Sequence, residues 1–60
     1  METMYNQKEA ARILNISVMQ LTVLAMNGQI NYTIVGKRRR FFNSHIQEYI
    51  LRESVKADNL

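Results

Sequence analysis

A chain of 60 residues suits one domain, and a hydrophobic content of 47% is enough for the small apolar core that this length allows. The absence of cysteine excludes disulfides and a cysteine-bearing zinc site and is consistent with a reducing cytoplasm, and no apolar run approaches the ~20 residues of a membrane span. Eight Lys and Arg stand against five Asp and Glu, a net charge of +3, and half of the basic residues form the run from Lys37 to Arg40.

The first helix is predicted from its start signal. Asn6 can cap the amides of a first helical turn, and Glu9 three residues later can reach back to it, as in a capping box. Apolar residues then recur at helical spacing, so we expect the helix to span Gln7 to Leu14. Asn15 is a suitable left-handed residue to end it.

A second helix is predicted after a turn of about three residues. Ser17 repeats the start signal, with Gln20 in the reciprocal position of a capping box. The helical pattern continues to Asn27, and Gly28 then ends the helix.

After Gly28 the pattern becomes that of a β-hairpin. The segment INYTIV, residues 30–35, is rich in β-branched and aromatic residues with polar residues between them, as in a strand. Gly36 and Lys37 supply a turn in which Gly36 is expected to need a positive φ. RRFF, residues 39–42, returns as the second strand.

A third helix is predicted after the hairpin, and either Asn43 or Ser44 is expected to cap it. The apolar positions at helical spacing are Ile46, Tyr49 and Ile50. The apolar stripe fades at residue 53, so residues 53–60 are expected to fray or to extend as a loosely held helix. We therefore expect one domain over residues 1–60, with its core in residues 4–52.

The order helix, helix, hairpin, helix predicts a mainly α fold with a small β-hairpin. From about Met4 to Leu51 the chain resembles the excisionase-family helix-turn-helix, a relative of the MerR-like winged-helix domains. The segments that carry the resemblance are EAARIL, the turn NIS, Gly28 after the second helix, VGKRRRF and the closing SHIQEYI. This resemblance implies a winged helix-turn-helix fold, with a two-stranded wing followed by a C-terminal helix.

The resemblance also implies that the partner is double-stranded DNA. The second helix would be the recognition helix in the major groove, and the basic hairpin would be a wing on the backbone or minor groove, anchored to the core by Phe41. The wing residues implied in this way are Lys37, Arg38, Arg39 and Arg40. Those implied on the recognition helix are Ser17, Met19, Gln20, Thr22 and Val23. Phosphates would offset the repulsion among the four wing cations.

The second helix departs from the family pattern because it carries no cation. No Lys or Arg lies between Arg12 and Lys37, so this helix cannot read guanine through bidentate Arg contacts. Gln20 can contact adenine, and Ser17 or Thr22 can contact a phosphate or a base edge. Apolar side chains can contact thymine methyl groups.

Val18, Met19 and Val23 leave several interpretations open, and the first is core packing, since a helix in a three-helix domain can bury more than one face. Other apolar residues of the second helix already supply a core stripe, so we expect some of these three to be exposed. Exposed, they would contact thymine methyl groups, form a protein interface, or have no role. The basic run alone could be a solvated turn, but its position after a helix-turn-helix favours phosphate contacts.

No set of residues suggests an active site. The chain has no cysteine nucleophile, no phosphate-binding glycine loop and no paired carboxylates with a basic partner, so we expect neither enzyme activity nor a cofactor. His45 is expected to be a surface residue that holds no metal, because it has no ligand partners in the sequence.

The favoured hypothesis is a phage or mobile-element excisionase that binds and bends attachment-site DNA, assists an integrase and can self-associate on DNA. A transcriptional regulator of the same fold fits the same residues. A third hypothesis is a protein-interaction module that uses the apolar face of the second helix, although it leaves the basic run unexplained. We expect a cytoplasmic protein without a membrane partner, since polar residues rather than a signal peptide follow the first Met.

Overall fold

Three helices and a three-stranded antiparallel sheet make up the part of the chain that the structure, a computed structural model, describes: residues 2–57. In chain order the elements are β1 (Met4–Asn6), α1 (Gln7–Leu14), α2 (Val18–Met26), β2 (Thr33–Val35), β3 (Arg38–Phe42) and α3 (Asn43–Ala57). The predicted order of two helices, a hairpin and a third helix is confirmed, and β1 adds a third strand. Residues 53–57 of the predicted tail continue α3, and residues 58–60 lie outside the described range.

Both predicted capping boxes are present. In the first, the backbone N–H of Glu9 donates to Asn6 Oδ1 over 2.7 Å, and that of Asn6 donates to Glu9 Oε1 over 3.0 Å. In the second, Gln20 N donates to Ser17 Oγ and Ser17 N donates to Gln20 Oε1, both over 3.0 Å. Each box satisfies two donors that have no partner inside the helix. Local sequence therefore sets where α1 and α2 begin.

The ends of α1 and α2 also follow local signals. Asn15 has the predicted left-handed conformation, with φ at 59°, and the next amide, that of Ile16, donates back to the carbonyl of Ala11 over 3.0 Å. This turn lets α2 start almost at once. At the far end of α2, Asn27 is the C-cap and Gly28 follows with φ at 71°. Glycine reaches a positive φ easily and asparagine tolerates one. Asn15 and Gly28 therefore suit the left-handed conformations that follow α1 and α2.

β3 is the central strand of the sheet, between β1 and β2. It pairs with β1 through Tyr5 opposite Phe41 and with β2 through Ile34 opposite Arg39. β1 escapes prediction because a strand of three residues is too short to show an alternating pattern, and it forms only by pairing with a segment far along the chain.

The predicted turn of the hairpin is confirmed. Gly36 and Lys37 have φ values of 57° and 68°, as in a type I′ turn, in which both central residues need a positive φ. This turn matches the right-handed twist of paired strands, so it closes β2 and β3 in a fixed register. That register places Val35 opposite Arg38 on the two sides of the turn.

β2 is shorter than the strand predicted over residues 30–35, because pairing begins only at Thr33. Ile30 is instead buried in the core, with 2% of its surface exposed. The side-chain amide of the next residue, Asn31, donates to Glu48 on α3 over 2.7 Å. The start of the predicted strand is thus held by the core and by α3 rather than by the sheet.

The core contains residues from every helix and from the central strand. Its buried members are Ala10, Ala11, Leu21, Ala25, Ile30, Phe41 and Ile46. Phe41 is fully buried, which fixes the hairpin to the helices, as expected. Burial of one such side chain contributes about 1.5–3 kcal/mol.

The start of α3 differs from the prediction. The prediction that Asn43 or Ser44 caps α3 is wrong, because the helix already includes both residues. Two other side chains supply acceptors there: His45 Nδ1 accepts from the backbone N–H of Phe42 over 3.2 Å, and the Glu2 carboxylate accepts from the backbone N–H of Ser44. The first turn of α3 is therefore capped in part from outside the helix, by a residue at the beginning of the chain.

Candidate nucleic-acid interface

The four predicted wing residues lie on the turn and the central strand of the sheet. Lys37 occupies the turn, and Arg38, Arg39 and Arg40 follow it on β3. Lys37 and Arg38 are exposed, whereas Arg39 and Arg40 are half-buried. Side chains alternate along a strand, so Arg39 shares the face of the buried Phe41, and the two arginines beside it share the other face. The three arginines therefore extend from both faces of β3.

Arg39 stacks on Tyr32, whose ring in turn contacts the buried Phe41 that anchors the hairpin. Its guanidinium carbon lies 5.3 Å from the centre of the Tyr32 ring, and that ring lies 6.1 Å from the ring of Phe41. A guanidinium over an aromatic ring gains about 0.5–1 kcal/mol at an exposed site. The Nε atom of Arg39 is buried and has no hydrogen-bond partner among the described residues. Arg39 is therefore less free than Arg38 to reach an external ligand.

A cleft of ≈ 780 Å³ lies between the hairpin and the start of α1, and we call it the cationic cleft. The residues that line it are Asn6, Gln7, Lys8, Val18, Tyr32, Ile34, Lys37, Arg38, Arg39 and Arg40. Five of these described residues are cations and none is acidic. A concave surface lined by one sign of charge concentrates its field and attracts ions of the opposite sign.

Lys8 is the cation of this cleft that sequence reasoning did not assign to the site. It lies in the first turn of α1, where a positive charge opposes the helix dipole. That unfavourable position is the one signal in the sequence that could have indicated a role for Lys8. Its place beside the hairpin cations depends on how α1 packs against the sheet, which the sequence does not reveal.

The outer face of α2 is exposed, as expected for Met19 and Val23. Met19 is 77% exposed, Val23 51% and Met26 70%. Their spacing of four and three residues places them on one side of the helix, and we call them the apolar stripe. Val18 is 44% exposed and lines the cationic cleft instead. The interpretation of Val18, Met19 and Val23 as core residues is thus wrong.

An apolar groove of ≈ 450 Å³ runs beside this stripe, between α2 and α3. It is lined by Ile16, Ser17, Met19, Gln20, Val23, Leu24 and Tyr49. No charged residue is among these described positions, so the two sides of α2 differ sharply in charge.

The polar residues proposed for DNA recognition already have partners within the fold. Ser17 and Gln20 bond to each other's backbone amides at the start of α2. Thr22 is half-buried, donates to the carbonyl of Val18 over 3.0 Å and accepts from the side-chain amide of Gln7 on α1. Thr22 therefore lies on the side of α2 that faces α1, at the edge of the apolar stripe. Bidentate contact with adenine would require Gln20 to release its cap.

Within residues 2–57, no three His, Cys, Asp or Glu side chains come together in a way that could hold a metal ion. None of the helices described there combines the length and the apolar character needed to cross a membrane. Comparison with protein-family models, with curated proteins and with solved structures found no match to this chain.

Proposed function

We propose that this chain is a winged helix-turn-helix protein that binds double-stranded DNA. The observation that carries the proposal is the convergence of Lys37, Arg38, Arg39 and Arg40 on one hairpin, anchored through Phe41 to a pair of helices that a tight turn connects. The Coulomb repulsion among the four cations is offset when they meet a chain of phosphates.

In the proposed complex, α2 enters the major groove and the hairpin follows the adjacent backbone. Met19 and Val23 contribute apolar contacts, which suit the methyl groups of thymine. Lys37 and Arg38 are exposed and contact phosphates, and Arg40 joins them when its half-buried side chain extends. Such an interface gains most of its affinity from the backbone and reads sequence through few base contacts.

The biological role that we propose is that of a phage or mobile-element excisionase, which binds and bends attachment-site DNA and assists an integrase. A transcriptional regulator with the same contacts is the alternative. The two roles differ in the DNA that is bound and in its shape. A gel-shift assay with the DNA that flanks the gene, repeated on circularly permuted fragments, reports both the preferred site and any bend. Binding inside an attachment site with a bend supports the first role, and unbent binding at a promoter supports the second.

The apolar stripe favours a second function class, a protein-interaction module. Three large apolar side chains exposed in a row on one helix are unusual for a surface without a partner. This function leaves the hairpin cations unexplained, so we place it second. If the purified protein binds no duplex at low salt, where phosphate contacts are strongest, the DNA-binding proposal is wrong.

A further inference from the structure

The cationic cleft has two walls that come from different parts of the chain. The hairpin supplies one wall with Lys37 and Arg38, and the first turn of α1 supplies the other with Lys8. Its apolar lining includes Val18 at the start of α2 and Ile34 on β2. Cations on two sides of an apolar surface match the shape of a phosphodiester strand, whose sugars lie between charged phosphates.

We infer that the cationic cleft grips one phosphodiester strand of the bound DNA between α1 and the hairpin, and that Lys8 is a phosphate-binding residue of this clamp. The inference rests on the proposed DNA-binding function and deepens it, because it assigns a contact outside the second helix and the basic run of the hairpin. The clamp also fixes the positions of the hairpin and α1 along the same DNA strand.

The position of Lys8 is explained by such an anion. A cation in the first turn of a helix is repelled by the positive end of the helix dipole. The hairpin cations across the cleft repel it further, because like charges repel one another. A phosphate in the cleft offsets both of these repulsions, because it is attracted to the start of the helix and to the cations on both walls.

Arg39 has a different part in the clamp. Its guanidinium stacks on Tyr32 and its Nε is buried, so it stiffens the hairpin wall instead of extending across the cleft. The clamp therefore relies on Lys8, Lys37 and Arg38, with Arg40 at its edge. Of these, Lys8 gives the most specific test, since a hairpin that bound DNA alone would not need it.

The first test compares Lys8→Ala with Arg12→Ala. Both residues are exposed cations on α1, but only Lys8 lines the cleft, so the two variants lose the same charge from the same helix. Affinity for a labelled duplex is measured by fluorescence anisotropy over a series of salt concentrations. Lys8→Ala should flatten the plot of log affinity against log salt by about 0.9, the value for one phosphate contact, and Arg12→Ala should leave the slope unchanged. Equal slopes for Lys8→Ala and Arg12→Ala overturn the clamp, even when the wild type binds DNA and the proposed function stands.

The second test uses inorganic phosphate at constant ionic strength, with amide chemical shifts as the readout. The clamp predicts that amides of α1 around Lys8 and amides of the hairpin move together, with one apparent affinity that Lys8→Ala weakens. If the protein binds no duplex but phosphate still moves both walls, the cleft is an anion site and the proposed DNA-binding function is wrong. Shifts confined to the hairpin, or no response to either DNA or phosphate, overturn the inference.

Discussion

The carboxylate of Glu2 accepts a hydrogen bond from the backbone N–H of Ser44 in the first turn of α3, across the length of the chain. His45 accepts from the amide of Phe42 beside it. Together these two side chains take the places of a capping box, in which one acceptor normally precedes the helix directly in sequence. The beginning of the chain is thereby tied to the last helix, next to the pairing of β1 with β3.

This contact predicts how stability depends on pH. Hydrogen bonds from Ser44, of which the one from its side chain has the larger effect and the one from its backbone the smaller, hold the pKa of Glu2 below its usual value of 4.5. The folded state then favours the charged carboxylate. The contribution of this carboxylate to stability is therefore present above pH 4.5 and is lost as the pH falls through the lowered pKa. We expect acidification from pH 6 to pH 3 to lower the Tm of the wild type more than that of Glu2→Gln. Parallel melting curves for the two proteins would contradict the capping role.

The elements that the sequence predicted correctly have their causes within a few residues. The capping pairs Asn6 with Glu9 and Ser17 with Gln20 are local, as is the left-handed Asn15, and the structure contains all three features. The hairpin turn is equally local, because φ at each central residue is decided by that residue and its neighbours.

The features that escaped prediction depend on contacts between distant segments. β1 exists only through pairing with β3, and the cap of α3 comes from Glu2. In the candidate site, Lys8 joins the hairpin cations because α1 packs beside the sheet. The position of Thr22 toward α1 could not be read from its helical spacing alone, since the direction of α1 relative to α2 was unknown.

Gly36 allows a test of the hairpin turn. Its φ is 57°, and an added Cβ would meet no atom within 4 Å, so the cost of a substitution comes from the backbone and not from a clash. Gly36→Val should lower stability by at least about 1 kcal/mol, or roughly 4–8 °C in Tm. Gly36→Asn is the matched control, because asparagine tolerates the left-handed region and should retain most of the stability. Equal melting temperatures for Gly36→Val and the wild type would show that the turn lies elsewhere.

The exposed face of α2 is tested with Val23→Ser. Val23 is half-exposed, so its replacement should change the free energy of unfolding by no more than about 0.5 kcal/mol. Leu21→Ser is the control on the buried face of the same helix, where the loss should exceed about 2 kcal/mol. Thermal melting of Val23→Ser and Leu21→Ser measures this difference in stability.

The same Val23→Ser protein also separates the two function classes. If the apolar stripe contacts thymine methyl groups, the variant should lose affinity for a preferred duplex and keep its affinity for a scrambled one. A folded variant with unchanged affinity for both duplexes would indicate that the stripe does not face DNA and would favour a protein partner.

The most direct measurement of the DNA-binding account is the salt dependence of duplex binding by the variant Arg38→Ala, Arg40→Ala. These two arginines share the strand face opposite Phe41 and lack the aromatic stacking that holds Arg39. The control Arg12→Ala, Arg52→Ala removes the same charge from helix positions outside the cationic cleft, and thermal melts establish that both variants are folded. Fluorescence anisotropy at several salt concentrations should give a slope shallower by roughly two for the hairpin variant, with weaker binding to every duplex, and a wild-type slope for the control. Equal slopes for the wild type and the folded hairpin variant would contradict the account.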